Sequence, residues 1–350
     1  MKRRKYILFF TISFGVCHTI FSRSPLRRPD PSVPYITTQW TGNQKTYQLR
    51  DSHLEIFPLF QMYDPQHVSK NLLPQKKITY RNNPKKSVSG KTISAHIESL
   101  LKEIQLKKTK YDNFVVLKDR DFNTKKQAGL LVLKSKHYPF VVKLFMENPR
   151  SFIRPYNKGF EPACIFIIGG GATRHLLGFT RIKNAQYIKE RVQKNYYWKR
   201  CVDVPRKWFW LPDIQKTIEL TGYNIGGHKK ISVSIPSIYA IVADAIDEEK
   251  TFSFFSSKDR RTAMDLSNFL LCRIDPHINN FMVEKETEKI VIIDTEHFPS
   301  LAGFKERPRI TTYSSWYLHL LFKYVKDRFF RSKSERIALQ NNPRQPFSIP

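Results

Sequence analysis

The sequence predicts an α+β fold, and three observations carry that prediction. Short apolar runs rich in β-branched residues occur at 114–117, 130–133 and 140–145, separated by polar turns, which is the pattern of strands. Apolar stripes at helical spacing occur within 92–106, 184–194, 258–272 and 312–330. Residues 281–283 and 290–293 flank a charged turn at 284–289 and read as a β-hairpin.

Taken in order, the chain opens MKRRKYILFFTISFGVCHTIFSRS. A basic start, an apolar run from Tyr6 to Phe21 and small Ser22 make residues 1–22 a secretory signal peptide, or an anchor if it is retained. The expected location is therefore exported (secreted or periplasmic) or membrane-anchored through this segment. Residues 23–110 form a basic N-terminal region. Between 24 and 89 prolines are frequent and no period is sustained, so this stretch reads as extended and partly disordered. One helix is expected near 92–106, where Ile93, Ile97, Leu100, Leu101 and Ile104 form a stripe. A second domain is expected over 111–331. It starts with the three strand-like runs, and Lys143 stands alone inside the last of them. Gly169, Gly170 and Gly171 read as a glycine-rich turn. Their amides with Arg174 are a secondary candidate for cradling phosphate.

Residues 184–194 read as an amphipathic helix, and 235–246 (IPSIYAIVADAI) as a buried strand. From 258 to 272 a helix places Ala263, Leu266, Phe269 and Leu270 on one side. Residues 312–330 set Trp316, Leu320, Phe322 and Val325 among Lys and Arg. Packing is the expected job of that helix, with an anionic membrane surface as the other use. Residues 332–350 are polar, contain proline and read as a disordered tail.

The densest chemistry lies in 274–298, IDPHINNFMVEKETEKIVIIDTEHF. Asp275, His277 and Asn280 occupy a polar loop, and the hairpin that follows returns Asp294 to the same end. Three oxygen-bearing side chains thus converge, which suits Mg²⁺ and phosphate oxygens. Asp275 and Asn280 stand in a D-x-x-x-x-N spacing, and Asp294 follows Asp275 by 19 positions.

Over these roughly 25 residues the chain resembles kinases, and within them the phosphatidylinositol 3-/4-kinase branch. The matching strings are Asp275-Pro276-His277-Ile278-Asn279-Asn280 for D-x-H-x-x-N and Asp294-Thr295-Glu296-His297-Phe298 for D-x-x-H-F. Pro276 stands where the family has Arg, and Thr295-Glu296 replace Phe-Gly. The resemblance implies a two-lobed protein-kinase-like fold, with a small, mostly β N-terminal lobe and a mostly helical C-terminal lobe. It implies ATP and Mg²⁺ as cofactors. Asp275 would serve the attacking hydroxyl with His277 assisting, and Asn280 and Asp294 would hold the metal. Lys143 would bind the ATP phosphates, Glu190 would pair with it, and Lys125 and Lys126 would bring charge to a phosphate-covering turn that carries only Gly129.

The implied function is ATP-dependent transfer of the γ-phosphate to a hydroxyl acceptor: a lipid headgroup, a protein or a small molecule. Export sits awkwardly with a need for ATP, and delivery into a host cell would resolve that. Two other readings stand beside it, an inactive relative acting as a binding module and a basic polyanion-binding surface protein. The formal net charge of +30 fixes the sign of a partner and not its identity. The absence of helix-turn-helix, zinc-finger and RNP patterns argues against nucleic acid. Cys164, Cys201 and Cys272 remain beyond the leader, too few for a disulfide framework or a zinc site.

Overall fold

The structure, a computed structural model, describes residues 35–42, 45, 47–50, 62–152, 172–223, 230–302 and 312–325. The expected leader (1–22), the glycine cluster (169–171) and the tail (332–350) lie outside the described residues. All described residues belong to one compact unit that begins at Pro34.

The first part forms β1 (Tyr35–Trp40), β2 (Tyr47–Arg50), α1 (Pro65–Lys70), β3 (Lys77–Thr79), β4 (Ser87–Ser89), α2 (Gly90–Gln105), β5 (Phe114–Lys118), β6 (Phe122–Asn123), β7 (Ala128–Ser135), β8 (Phe140–Met146) and α3 (Pro149–Phe152). It is followed by α4 (Ala172–Gln193), α5 (Trp198–Cys201), β9 (Val202–Asp203), β10 (Lys207–Trp210), β11 (Thr217–Tyr223), β12 (Lys230–Pro236) and β13 (Ile238–Asp244). The last part adds β14 (Glu248–Thr251), α6 (Ser257–Phe269), β15 (Phe281–Glu284), β16 (Ile290–Ile292), α7 (Phe298–Ala302) and α8 (Tyr313–Val325).

An antiparallel sheet ordered β10-β13-β8-β7-β5, with β6 against β7, is the centre of the molecule. Side chains alternate across it, so each strand feeds two cores. Val142, Leu144, Leu131, Leu133 and Val242 meet the apolar stripe of α2, where Ile93, Ile97, Leu100, Leu101 and Ile104 are all buried. Phe145, Tyr239, Ile241 and Phe209 face the other way, onto Leu176, Leu177, Phe179 and Ile182 of α4. Lys143 sits directly across from Ile241 in the β8–β13 pairing, and therefore shares the α4 face. The helix expected in the basic N-terminal region is thus the cover of one side of this sheet.

The kinase-like, two-lobed architecture with a mostly helical C-terminal lobe is corrected by the structure. Helix makes up 34% of the described residues. The longest helices, α2 and α4, precede β9, whereas the part after β13 is built around a sheet ordered β14-β15-β16-β9. A helical lobe needs several long apolar stripes to bury against one another. This stretch offers α6 and α8, of 13 residues each, and the short α7. Strands fill the remainder through ladder bonds that composition does not reveal: all four residues of β14 are exposed, yet it pairs with β15.

Residues 24–89 also contribute more order than their composition suggested. β1 joins β2, β11 and β12 in a third sheet, and β3 pairs with β4. Arg81 ties this region to the hairpin sheet, with Nε 2.7 Å from Glu284 and Nη2 2.8 Å from Asp203.

Helix α4 lies so close to the sheet that Gly178 has no room for a side chain. A Cβ there would come within 1.9 Å of the Tyr239 hydroxyl and 2.9 Å of the Phe145 ring. That hydroxyl is itself held by donating to the His175 carbonyl. Gly178→Ala is therefore expected to destabilise the protein by about 2–3 kcal/mol through overpacking, despite alanine's better helix propensity. Urea denaturation measures it.

Candidate functional site

The site lies on the α4 face of the central sheet, between that helix and the loops on either side of the β15–β16 hairpin. Helix α6 delivers the first loop. Ser256 caps its N-terminus, accepting from the Asp259 amide at 3.1 Å, and the chain reverses after Phe269 through Leu271 and Cys272. Both have left-handed backbones, with φ of 57° and 59°, a conformation that costs non-glycine residues energy and clusters near functional sites. Ser267 then holds the Ile274 carbonyl at 2.9 Å.

The loop is organised around Asp275. Its carboxylate accepts from the His277 amide at 3.1 Å, and its carbonyl accepts from the Asn280 side-chain nitrogen at 3.1 Å. That bond orients the Asn280 carboxamide, whose side-chain oxygen is its acceptor end. Burial pushes the Asp275 carboxyl up to about 7, against the His277 amide and the Trp316 indole, which favour the charged form. Asp294 and Glu296 are near enough to raise it further.

The hairpin has the expected register, with Met282 opposite Val291, and returns the chain beside the loop, where the Ile293 amide donates to the Asn280 carbonyl at 3.0 Å. Asp294 there meets cations from two directions. Lys143 Nζ is 3.3 Å from Oδ2, and Arg181 of α4 contacts Oδ1. Arg181 Nη2 also reaches Glu296 at 3.1 Å, as does Arg174 Nη1 at 3.1 Å. Burial alone would raise the Asp294 carboxyl, yet Arg181 and Lys143 hold it well below the usual carboxylate range.

Lys143 is lowered to about 8, chiefly by burial, with Arg181 adding repulsion and Asp294 opposing it. Lys207, two strands away on the same sheet face, donates to the Thr295 hydroxyl at 2.7 Å and the Ile293 carbonyl at 3.2 Å. Burial and the charge of Lys143 push it well below the ordinary lysine value. Both shifts favour the neutral amine, and the lasting positive charge of the pocket comes from Arg181 and Arg174, each paired with a carboxylate.

One buried side chain fastens the two loops together. Asn184 of α4 donates to the carbonyls of Arg273 and Thr295, each at 3.1 Å.

The structure therefore brings Lys143, Asp275, His277, Asn280 and Asp294 to one region. Glu190 is exposed on α4 and is not the partner of Lys143, whose acid is Asp294. The helix contributes an arginine to this pocket in place of a glutamate. Lys125 and Lys126 are exposed at the tip of the β6–β7 turn. The cations of that loop system that bear on the site are Lys118 and Arg120, whose charge, after burial, lowers the His277 imidazole.

His297 and Phe298, which carry part of the motif resemblance, are core residues. His297 Nδ1 is 2.7 Å from the Ser300 hydroxyl, and Phe298 stacks on Trp316 at 5.1 Å. Sequence reasoning missed Arg181, Lys207, Asn184 and Glu296. Nothing in a chain with 60 Lys and Arg singles out two of them. The only available signal for Asn184 was a polar position between Ile182 and Ala185 on an otherwise apolar face.

Comparison with known proteins finds no matching family model, no matching curated protein and no matching solved structure. Among the described residues, no group of three His, Cys, Asp or Glu is placed to hold a metal, and no helix is long and apolar enough to cross a membrane. A Mg²⁺ ion would have to draw on Asn280 and Asp294 and on the oxygens of a bound phosphate.

Proposed function

We propose that the protein is an ATP-dependent phosphotransferase that transfers the γ-phosphate to a hydroxyl acceptor, with the acceptor's identity left to experiment. The observation that carries this reading is the meeting of Lys143 with Asp294 beside the Asp275–Asn280 loop. A cationic strand residue, a carboxylate for metal and a carboxylate to take a proton are three of the parts that phosphoryl transfer uses. The motif resemblance at 275–280 and 294–298 supports the same assignment. In it, Lys143 and Lys207 bind phosphate, Asn280 and Asp294 hold the metal when it is bound, and Asp275 takes the proton of the acceptor hydroxyl. Export through residues 1–22 belongs to the same proposal and is tested by the N-terminal sequence of the mature chain.

Thermal melting with and without Mg-ATP tests the reading. Mg-ATP is expected to raise Tm, and Lys143→Met and Asp294→Asn are each expected to abolish the rise. A wild-type protein indifferent to Mg-ATP would sink the proposal.

The pH dependence follows from Asp275. A base with a pKa of about 7 is deprotonated above that value and protonated below it. Turnover of ATP is thus expected to climb as pH rises through about 7 and then level off. Asp275→Asn should remove the turnover and leave nucleotide binding in place.

One observation favours a second reading, a nucleotide-binding module without turnover. Both carboxylate oxygens of Asp294 already face cations, Arg181 on Oδ1 and Lys143 on Oδ2, and these compete with a metal. That version predicts equal stabilisation by ATP in magnesium and in EDTA, with no ADP formed.

A further inference from the structure

Independently of the phosphotransferase reading, we propose that the loop joining β14 to α6 is a docking tip for an anionic lipid bilayer. At its end Phe255 is 82% exposed and Phe254 55% exposed, with their rings edge to face at 5.8 Å. Single exposed apolar residues are ordinary on protein surfaces, but adjacent phenylalanines at a loop tip place contiguous apolar area in water.

The tip is built to hold them there. The Ser253 amide donates to Asp259 at 3.0 Å, the Phe255 amide to the Ser253 hydroxyl at 3.2 Å, and the Ser256 amide to the Ser253 carbonyl at 3.1 Å. Arg260 donates to the Phe254 carbonyl, and its guanidinium lies over the Phe254 ring at 5.7 Å. Lys258 and Arg261 follow, three residues apart and both exposed on the first turns of α6. The acid in that turn, Asp259, is buried and faces inward, bonded to Ser253 and Lys250. The tip thus joins two exposed aromatic rings to the exposed cations Lys258 and Arg261 on the helix that follows, with the acids Glu248 and Glu249 set back on β14. Aromatic rings with neighbouring cations partition into the headgroup boundary of a negatively charged leaflet.

Other occupants fit less well. A second copy would set the same cations against each other on a chain of net charge +30. A nucleic-acid strand stacks successive bases on several open ring faces, and with one face of Phe254 under Arg260 the tip offers Phe255 as its one open ring.

The tip is also coupled to the candidate site. Phe252 stacks on Phe281, the residue after Asn280, at 5.5 Å. Phe254 lies 6.0 Å from the Tyr313 ring, whose hydroxyl accepts the Ile278 amide at 3.2 Å. A bilayer held at the tip would thus fix the orientation of the 275–280 loop relative to the lipid surface.

Co-sedimentation of the full chain with phosphatidylcholine vesicles, with and without phosphatidylserine, tests the proposal. Because the apolar N-terminus can also bind lipid, the comparison is between the wild type and variants of the full chain. The double variant Phe254→Ser/Phe255→Ser is expected to lose about tenfold or more in partitioning onto phosphatidylserine vesicles, and Lys258→Glu/Arg261→Glu to lose a similar factor that salt erases in the wild type. Phe255, Lys258 and Arg261 are exposed, and substitutions there should leave the melting temperature unchanged. Phe254 also touches Tyr313 and Arg260, so Phe255→Ser alone, which keeps those contacts, is the control for folding. Phe255→Trp adds a direct readout, a blue shift of its emission on phosphatidylserine vesicles. Unchanged partitioning of both double variants would overturn the proposal, as would a Phe255→Trp emission indifferent to lipid. A double phenylalanine variant that dissociates an oligomer while binding vesicles as before would reassign the tip to self-association and overturn it equally.

Discussion

Arg181→Met is expected to destabilise the protein by about 3 kcal/mol at neutral pH. The guanidinium is 2% exposed and is the group that joins Asp294 to Glu296. Burial works against its charge, and the two carboxylates more than restore it. Without it they face one another with Lys143, Lys207 and Arg174 as the remaining cations. Methionine fills the volume but supplies no donor, so the cost is that of two buried acids left with one close cation each, Lys143 for Asp294 and Arg174 for Glu296. The pH dependence separates this from a packing defect. Asp294 has a folded-state pKa well below its unfolded value, so its contribution to stability is present above about pH 4 and is lost as pH falls. The variant loses that contribution, and its deficit against the wild type is expected to be largest near pH 7 and to shrink in acid. Urea denaturation across that range measures it; a deficit independent of pH would assign the effect to shape.

The second large effect is expected at Asn184. Its amide nitrogen serves the Arg273 and Thr295 carbonyls at once, and the residue is wholly buried. Asn184→Leu keeps the volume, takes the Asn184 donor from the Thr295 carbonyl and leaves the Arg273 carbonyl with the Phe298 amide alone, at a cost of about 2 kcal/mol. Asn184→Asp should be worse, because it turns a carboxylate toward two carbonyl oxygens. Hydrogen exchange gives the local signature: the Phe298 amide, bonded to Arg273 at 3.0 Å, should lose protection in either variant before the β7–β8 ladder does. Equal loss at both places would mean that Asn184 supports the whole unit and not the junction of the two loops.

Much of the local structure was legible because local signals and tertiary demands agree. The stripe of Ile93, Ile97, Leu100, Leu101 and Ile104 gave α2, and the apolar runs gave β5, β7, β8 and the β15–β16 hairpin. The helix read at 184–194 is the C-terminal half of α4, whose N-terminal half escaped notice because it is apolar on more than one side. A helix pressed between a sheet and two loops has no polar face to set its period. β1, β2, β9 and β14 were invisible for another reason, since their partners are far away in sequence or their side chains are exposed.

The same division holds at the site. Asp275, Asn280 and Asp294 stand at short, fixed spacings, and Lys143 interrupts an apolar run, so each leaves a mark in the sequence. Arg181 and Lys207 belong to the same pocket only by virtue of which sheet face and helix face meet. The kinase-like architecture was inferred from 25 residues and extended over two hundred, and that extension is where it failed.

The pairing of β1 with β11 has a consequence for synthesis. Gln39 and Glu219, joined side chain to side chain at 2.7 Å, lie 180 residues apart. A ribosome adding 5–20 residues per second needs about 10–40 s to make the second partner after the first has emerged. For that interval β1 has no strand to join on its β11 side, and closing so long a loop is slow in its own right. Translation rate, and whatever shields that edge meanwhile, should therefore govern how much of the nascent chain reaches the folded state.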